Sequence, residues 1–173
     1  MDEYLRGIIQ IPIERKYLEN ARVWARVVSQ RYNADVQIDD AASYIIIRPR
    51  AGVSVDEILR LQDMARALSF GFSPEDVMRL EGEDYRLDYV DVKEHVGRQH
   101  LHRVLARVIG EGGRAKSTIE ALTGTKIAVT DRYVAILGPL NAVSVAKEAI
   151  MMLIEGKKHG TVYRYIQRSI RSY

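Results

Sequence analysis

Cysteine is absent from the 173 residues. Disulfides, cysteine-ligated zinc, iron–sulfur clusters and thiol catalysis are therefore excluded. Phenylalanine and tryptophan are scarce, two and one, and the longest uninterrupted apolar run is 149–154, far below the ~20 residues of a membrane-spanning helix. The opening Met-Asp-Glu-Tyr-Leu-Arg has no basic segment leading into an apolar one, so no secretory leader and a cytoplasmic location are expected. What is present is globular in character: 47% hydrophobic and 28% charged residues, enough to bury a core and keep a solvated surface.

The net charge of +3 conceals an asymmetry. Residues 1–90 hold 12 Lys and Arg against 16 Asp and Glu, a balance of −4; residues 91–173 hold 14 against 7, a balance of +7. A basic half beside an acidic half points to a polyanion surface confined to the second half.

Hydrophobic spacing gives the same order of elements twice. Residues 8–13 read as a strand, with Pro12 near its end. Residues 20–32 read as a helix with Val23, Val27 and Val28 on one side. Val36 and Ile38, then 44–47, read as strands around the turn 39–43. Ser54 with Glu57 makes a capping box before a helix carrying Ile58, Leu61, Ala65 and Leu68. The first unit is thus strand, helix, strand, strand, helix, and Ser73-Pro74-Glu75-Asp76 starts a short connecting helix to about Leu80. In the second half Leu87, Tyr89, Val90 and Val92 mark a strand, and Leu101, Val104, Leu105 and Val108 a helix. A helix from Arg114 to Leu122 follows, then strands at Ile127 with Val129 and at 133–137, then a helix capped by Asn141. A shift of 90 residues superposes Ile46 on Ile136, Pro49 on Pro139 and Val53-Ser54-Val55 on Val143-Ser144-Val145, which argues for duplication. The expected domains are 1–80 and 81–173.

Between the two helices of the second unit stands Gly110-Glu111-Gly112-Gly113-Arg114-Ala115-Lys116-Ser117. Glycines allow a tight turn and close approach of a ligand to the backbone, and the helix that follows turns free N–H groups toward an anion. A nucleotide-binding P-loop would need glycine at Ala115, a buried strand before Gly110 and a magnesium-binding aspartate after a later hydrophobic run; none of these is present. A bare helix–helix turn does not account for three glycines flanked by Arg107, Arg114 and Lys116.

Strand, helix, Ile109-Gly110-x-x-Gly113, helix, two strands and helix resembles the type I KH fold. The fold class implied is α+β: two KH-like units of the order β-α-α-β-β-α, each a three-stranded antiparallel sheet packed on helices, the first degenerate. The aligned segment Glu19-Asn20-Ala21-Arg22 of the first unit has no glycine, so that unit reads as a scaffold or protein-contact module. KH domains hold about four single-stranded nucleotides with the GXXG loop clamping the backbone. The resemblance implies an RNA site of Arg107, Ile109, Gly110, Glu111, Gly112, Gly113, Arg114 and Lys116, in which backbone amides and Arg107, Arg114 and Lys116 hold phosphates, with an apolar base surface from Ile119, Ile127 and Val129. Glu111 departs from the Lys or Arg common in such loops and weakens the expected attraction for phosphate.

The degenerate first unit, Gly71-Phe72-Ser73-Pro74-Glu75-Asp76, the Gly-Glu-Gly-Gly loop and Gly160-Thr161-Val162-Tyr163 together resemble the archaeal Partner-of-Nob ribosome-assembly family, with the Krr family as a near relative. That resemblance implies single-stranded small-subunit rRNA near its 3′ end as ligand, the Nob endonuclease and ribosomal proteins as partners, and no cofactor or metal. The rival class is a protein-interaction scaffold with little RNA affinity. His95, His100 and His102 do not share a helix face in a way that suits a metal, and no Ser-His-Asp or paired-glutamate arrangement stands out, so no catalysis is expected. Arg164, Arg168 and Arg171 fall on one helical face of the tail.

Overall fold

Each unit is organised around one strongly apolar strand flanked by two others. The computed structural model describes residues 7–172, and its chain divides into two compact units, Met1–Gly82 and Glu83–Tyr173.

In the first unit β1 (Ile9–Pro12) and β2 (Ala34–Asp39) pair antiparallel on either side of β3 (Tyr44–Pro49). Period-two alternation buries Ile45 and Ile47 of β3. Pro12 ends β1 at the sheet edge, where its missing N–H breaks no ladder bond. A 3-10 turn at Arg15–Tyr17 runs directly into α1 (Leu18–Arg31). The buried stripe of α1 is Leu18, Ala21, Trp24, Ala25 and Val28, at helical spacing. Val23 and Val27, expected to face inward, are exposed, because they lie round the helix from that stripe. α2 (Val55–Phe70) begins with the full Ser54–Glu57 capping box and ends at left-handed Gly71. Its Met64 sulfur accepts a hydrogen bond from Trp24 Nε1 at 3.3 Å, so the large ring is buried with its polar atom satisfied. α3 (Pro74–Met78), capped by Ser73, completes the unit.

The second unit has the same sheet order: β4 (Tyr85–Asp91) and β5 (Lys126–Val129) flank β6 (Tyr133–Pro139). Val92, expected in the strand, instead opens α4 (Val92–Ile109), which is interrupted at Gly97 by a left-handed residue with φ 73°. α5 (Arg114–Thr123), α6 (Leu140–Ile154) and α7 (His159–Ile170) follow. Val104, Leu105, Val108, Ile136, Ile150 and Ile166 meet in one core, each large side chain contributing about 1.5–3 kcal/mol on burial. Asn141 does not cap α6. The strand runs through Pro139 straight into the helix, which has no side-chain cap, and the Leu140 N–H donates to the Asp84 carbonyl at 2.7 Å.

The 90-residue shift holds for the last two strands of each unit and fails for the first, since residues 9–12 would fall within α4. β2 and β3 map onto β5 and β6. It fails for the matched tripeptide, since Ser54 caps α2 whereas Ser144 lies inside α6.

Candidate nucleic-acid interface

The glycine-rich turn is shaped by three left-handed glycines. Gly110 ends α4 with φ 78° and donates its N–H to the Ala106 carbonyl at 2.8 Å. A Cβ at this position would stand 2.7 Å from both the nitrogen and the Cβ of Ala115, so only glycine lets the turn close on α5. Gly112 (φ 62°) and Gly113 (φ 78°) have open space where a Cβ would point, and the Gly113 N–H donates to the Gly110 carbonyl at 3.1 Å.

α5 therefore starts in an unusual electrostatic state. Its N-cap is a glycine with no side-chain cap, and its first turn holds no acidic residue but carries Arg114 and Lys116. Cations at a helix N-terminus oppose the macrodipole, at a cost of about 0.3–1 kcal/mol each when exposed. A docked anion would reverse this penalty. Arg114 is exposed and makes no ion pair among the described residues, whereas Lys116 pairs with Glu120 Oε1 at 3.4 Å. Glu111 is exposed on the turn.

The sequence-predicted site divides on inspection. Gly110, Glu111, Gly112, Gly113, Arg114 and Lys116 come together at the turn, with half-buried Ile109 beneath it. Arg107 does not join them as a free phosphate ligand. Its guanidinium donates to the carbonyls of Leu153 at 3.1 Å and Lys157 at 2.5 Å, and so satisfies the end of α6. His159 Nε2 lies 3.0 Å from the Arg107 carbonyl and ties the start of α7 to the same point. Ile119 and Ile127 are buried in the core at 0% and 4% exposure, so their side chains cannot offer bases a surface. Val129 is half-buried at the end of β5.

Glu120, missed in the sequence, joins the helix to the strand. Its Oε2 accepts the Ile127 N–H at 3.0 Å while Oε1 faces Lys116, so the edge of β5 is fastened to α5. The Lys116–Glu120 spacing of four residues was the available signal. The hairpin that carries β5 is fixed at its far end by Arg132, whose Nε and Nη2 donate to the two Asp91 oxygens at 2.8 and 2.5 Å. That bond, with Coulomb attraction, holds the Asp91 carboxyl below its ordinary range and raises the guanidinium, against desolvation in each case.

In the first unit, chain order places the turn Arg15–Tyr17 and α1 where the second has its glycine turn and α5. Glu19-Asn20-Ala21-Arg22 lies within α1 and is not the counterpart of the loop. A cleft of about 390 Å³ remains between α1 and β2, lined by Arg22, Ala25, Arg26, Ser29, Val36 and Ile38. Arg22 is bound by Glu19 and Asp40.

A three-stranded sheet of this order, with a GXXG turn between two helices, defines a type I KH domain. The family model for the second KH domain of Pno1, a eukaryotic type KH-domain (KH-domain type I), matches residues 86–171. A KH domain-containing protein of Methanocaldococcus jannaschii is 34% identical over 112 residues, 64% of this chain and 49% of its own. The pre-rRNA-processing protein pno1 of Aspergillus oryzae is 33% identical over 115 residues, 62% of this chain and 43% of its own. The chain thus spans about half the length of these curated relatives. A chain in the crystal structure of the a/eIF2alpha–aDim2p–rRNA complex from Pyrococcus horikoshii superposes with a TM-score of 0.84 at 26% identity, covering 99% of this chain and 98% of that one. The chain belongs to the Pno1/Dim2-type KH family.

Proposed function

We propose that this protein is a non-enzymatic ribosome-assembly factor that clamps single-stranded small-subunit rRNA near its 3′ end through the turn 110–113. It acts in the cytoplasm alongside the Nob endonuclease and ribosomal proteins. The carrying observation is the start of α5: uncapped, without an acid in its first turn, and bearing two cations. The second unit's excess of positive charge and the relatives named for pre-rRNA processing support the same reading. In this mechanism Gly112 and Gly113 admit the sugar–phosphate backbone, Arg114 meets a phosphate, and Lys116 is shared between Glu120 and the RNA. Bases lie along the edge of β5, against Val129 and the backbone held by Glu120.

The scaffold reading draws on a specific observation as well: Glu111 is exposed on the turn, and Arg107 is spent on carbonyls. Filter binding of the full chain to an oligomer of the rRNA 3′ end separates the two. The RNA reading expects saturable binding whose log–log salt slope is about −2 to −3, for some three or four phosphates at about −0.7 each. A scaffold would show only weak, sequence-indifferent retention.

A further inference from the structure

The tail helix α7 is the strongest feature the KH site leaves unused. From Gly156 to the end the sequence holds Lys157, Lys158, Arg164, Arg168 and Arg171 and no acidic residue. Val162 and Ile166 are fully buried against the core. At about 100° per residue Arg164, Arg168 and Arg171 lie roughly 180–240° round the helix from Val162, and all three are exposed. Arg168 and Arg171 have no side-chain partner among the described residues, and Arg164 reaches only the Thr161 hydroxyl at 3.4 Å.

Helix stability does not explain this placement. Cations in a last turn complement the macrodipole, which accounts for Arg168 and Arg171. It does not account for Arg164, nor for Lys158 at the N-cap, where the first turn has no acid. The face is also the wrong kind for a single strand, which needs aromatic platforms beside the charge. Tyr163 and Tyr165 are instead packed against the core. A straight row of arginines about 6 and 4.5 Å apart along the axis suits a backbone whose bases are hidden.

We propose that the Arg164–Arg168–Arg171 face of α7 binds the phosphate backbone of double-helical RNA flanking the single strand held at the turn 110–113. The proposal rests on the RNA-binding reading and extends it to a second, structurally distinct element of the ligand. Recognition is of the phosphate backbone and not of base sequence, as expected for duplex RNA, which is read by shape and backbone.

The test uses the full chain and two probes: the single-stranded rRNA 3′-end oligomer, and the same oligomer as the tail of an RNA hairpin. Wild type should bind the hairpin-tailed probe about tenfold more tightly than the oligomer. The triple variant Arg164→Gln/Arg168→Gln/Arg171→Gln should lose that gain, bind the oligomer as wild type does, and show a salt slope shallower by about 2–3 on the hairpin probe. The triple Arg→Lys variant should keep most of the gain. A gain that survives in the Gln variant overturns the proposal, as does no gain in wild type or equal losses on both probes. Failure of wild type to bind the oligomer counts against the proposed clamp, while the loss on the hairpin probe still reads α7.

Discussion

The two units share a sheet order and differ in what precedes the helix beside the edge strand. In the second, α4 ends in three left-handed glycines and α5 begins uncapped with cations. In the first, β1 leads through the 3-10 turn Arg15–Tyr17 directly into α1, with no α-helix and no glycine between them. The comparison teaches that the three-stranded scaffold does not need the clamp. The glycine turn occurs in the second unit alone, and the sheets are held by other contacts: Trp24 on Met64 in one unit, Arg107 on the end of α6 in the other.

The largest expected effect sharpens the separation of scaffold from clamp. Ile119→Ala removes a fully buried side chain from the second core and should cost about 2–5 kcal/mol of stability, read as a lower denaturant midpoint. A base-contacting Ile119 would instead lose affinity at unchanged stability. Next in size is Arg107→Ala, which removes a charged donor from the part-buried Leu153 carbonyl and the exposed Lys157 carbonyl. A loss of about 1–3 kcal/mol is expected in thermal unfolding, with RNA affinity per folded molecule unchanged. The comparison between units is tested most sharply by reversing one free cation in each: Arg114→Glu should weaken oligomer binding by about tenfold, Arg26→Glu by much less. Equal losses would mean that the α1/β2 cleft also takes RNA. The smallest effect is Glu111→Lys, expected to tighten binding and steepen the salt slope by about 0.7, while Glu57→Lys in the acidic half leaves both unchanged.

The strands, the helix order and the GXXG turn were legible because each is a local pattern. Alternation marks β3 and β6, and three glycines before a periodic helix mark the turn. The errors have a common cause, in partners distant along the chain. Arg107 read as a phosphate ligand from its neighbours, but its acceptors lie 46 and 50 residues away. Ile119 and Ile127 carried the right chemistry for a base surface, yet the apolar stripe of α5 is claimed by its own core. The counterpart of the glycine turn lies elsewhere because the last two strands of the units align with a 90-residue shift but the turns at 15–17 and 111–113 with a 96-residue shift.

The most direct measurement is oligomer affinity for Gly112→Asp in the full chain. Position 112 has a left-handed φ of 62° and free space for a side chain, and aspartate tolerates that conformation better than most residues, so the fold should survive. A second carboxylate beside Glu111 then stands where the proposed clamp would hold a phosphate. The account predicts an affinity loss of about tenfold or more, with an unchanged circular dichroism spectrum. Undiminished affinity in the folded variant would contradict the assignment of the clamp to the turn 110–113.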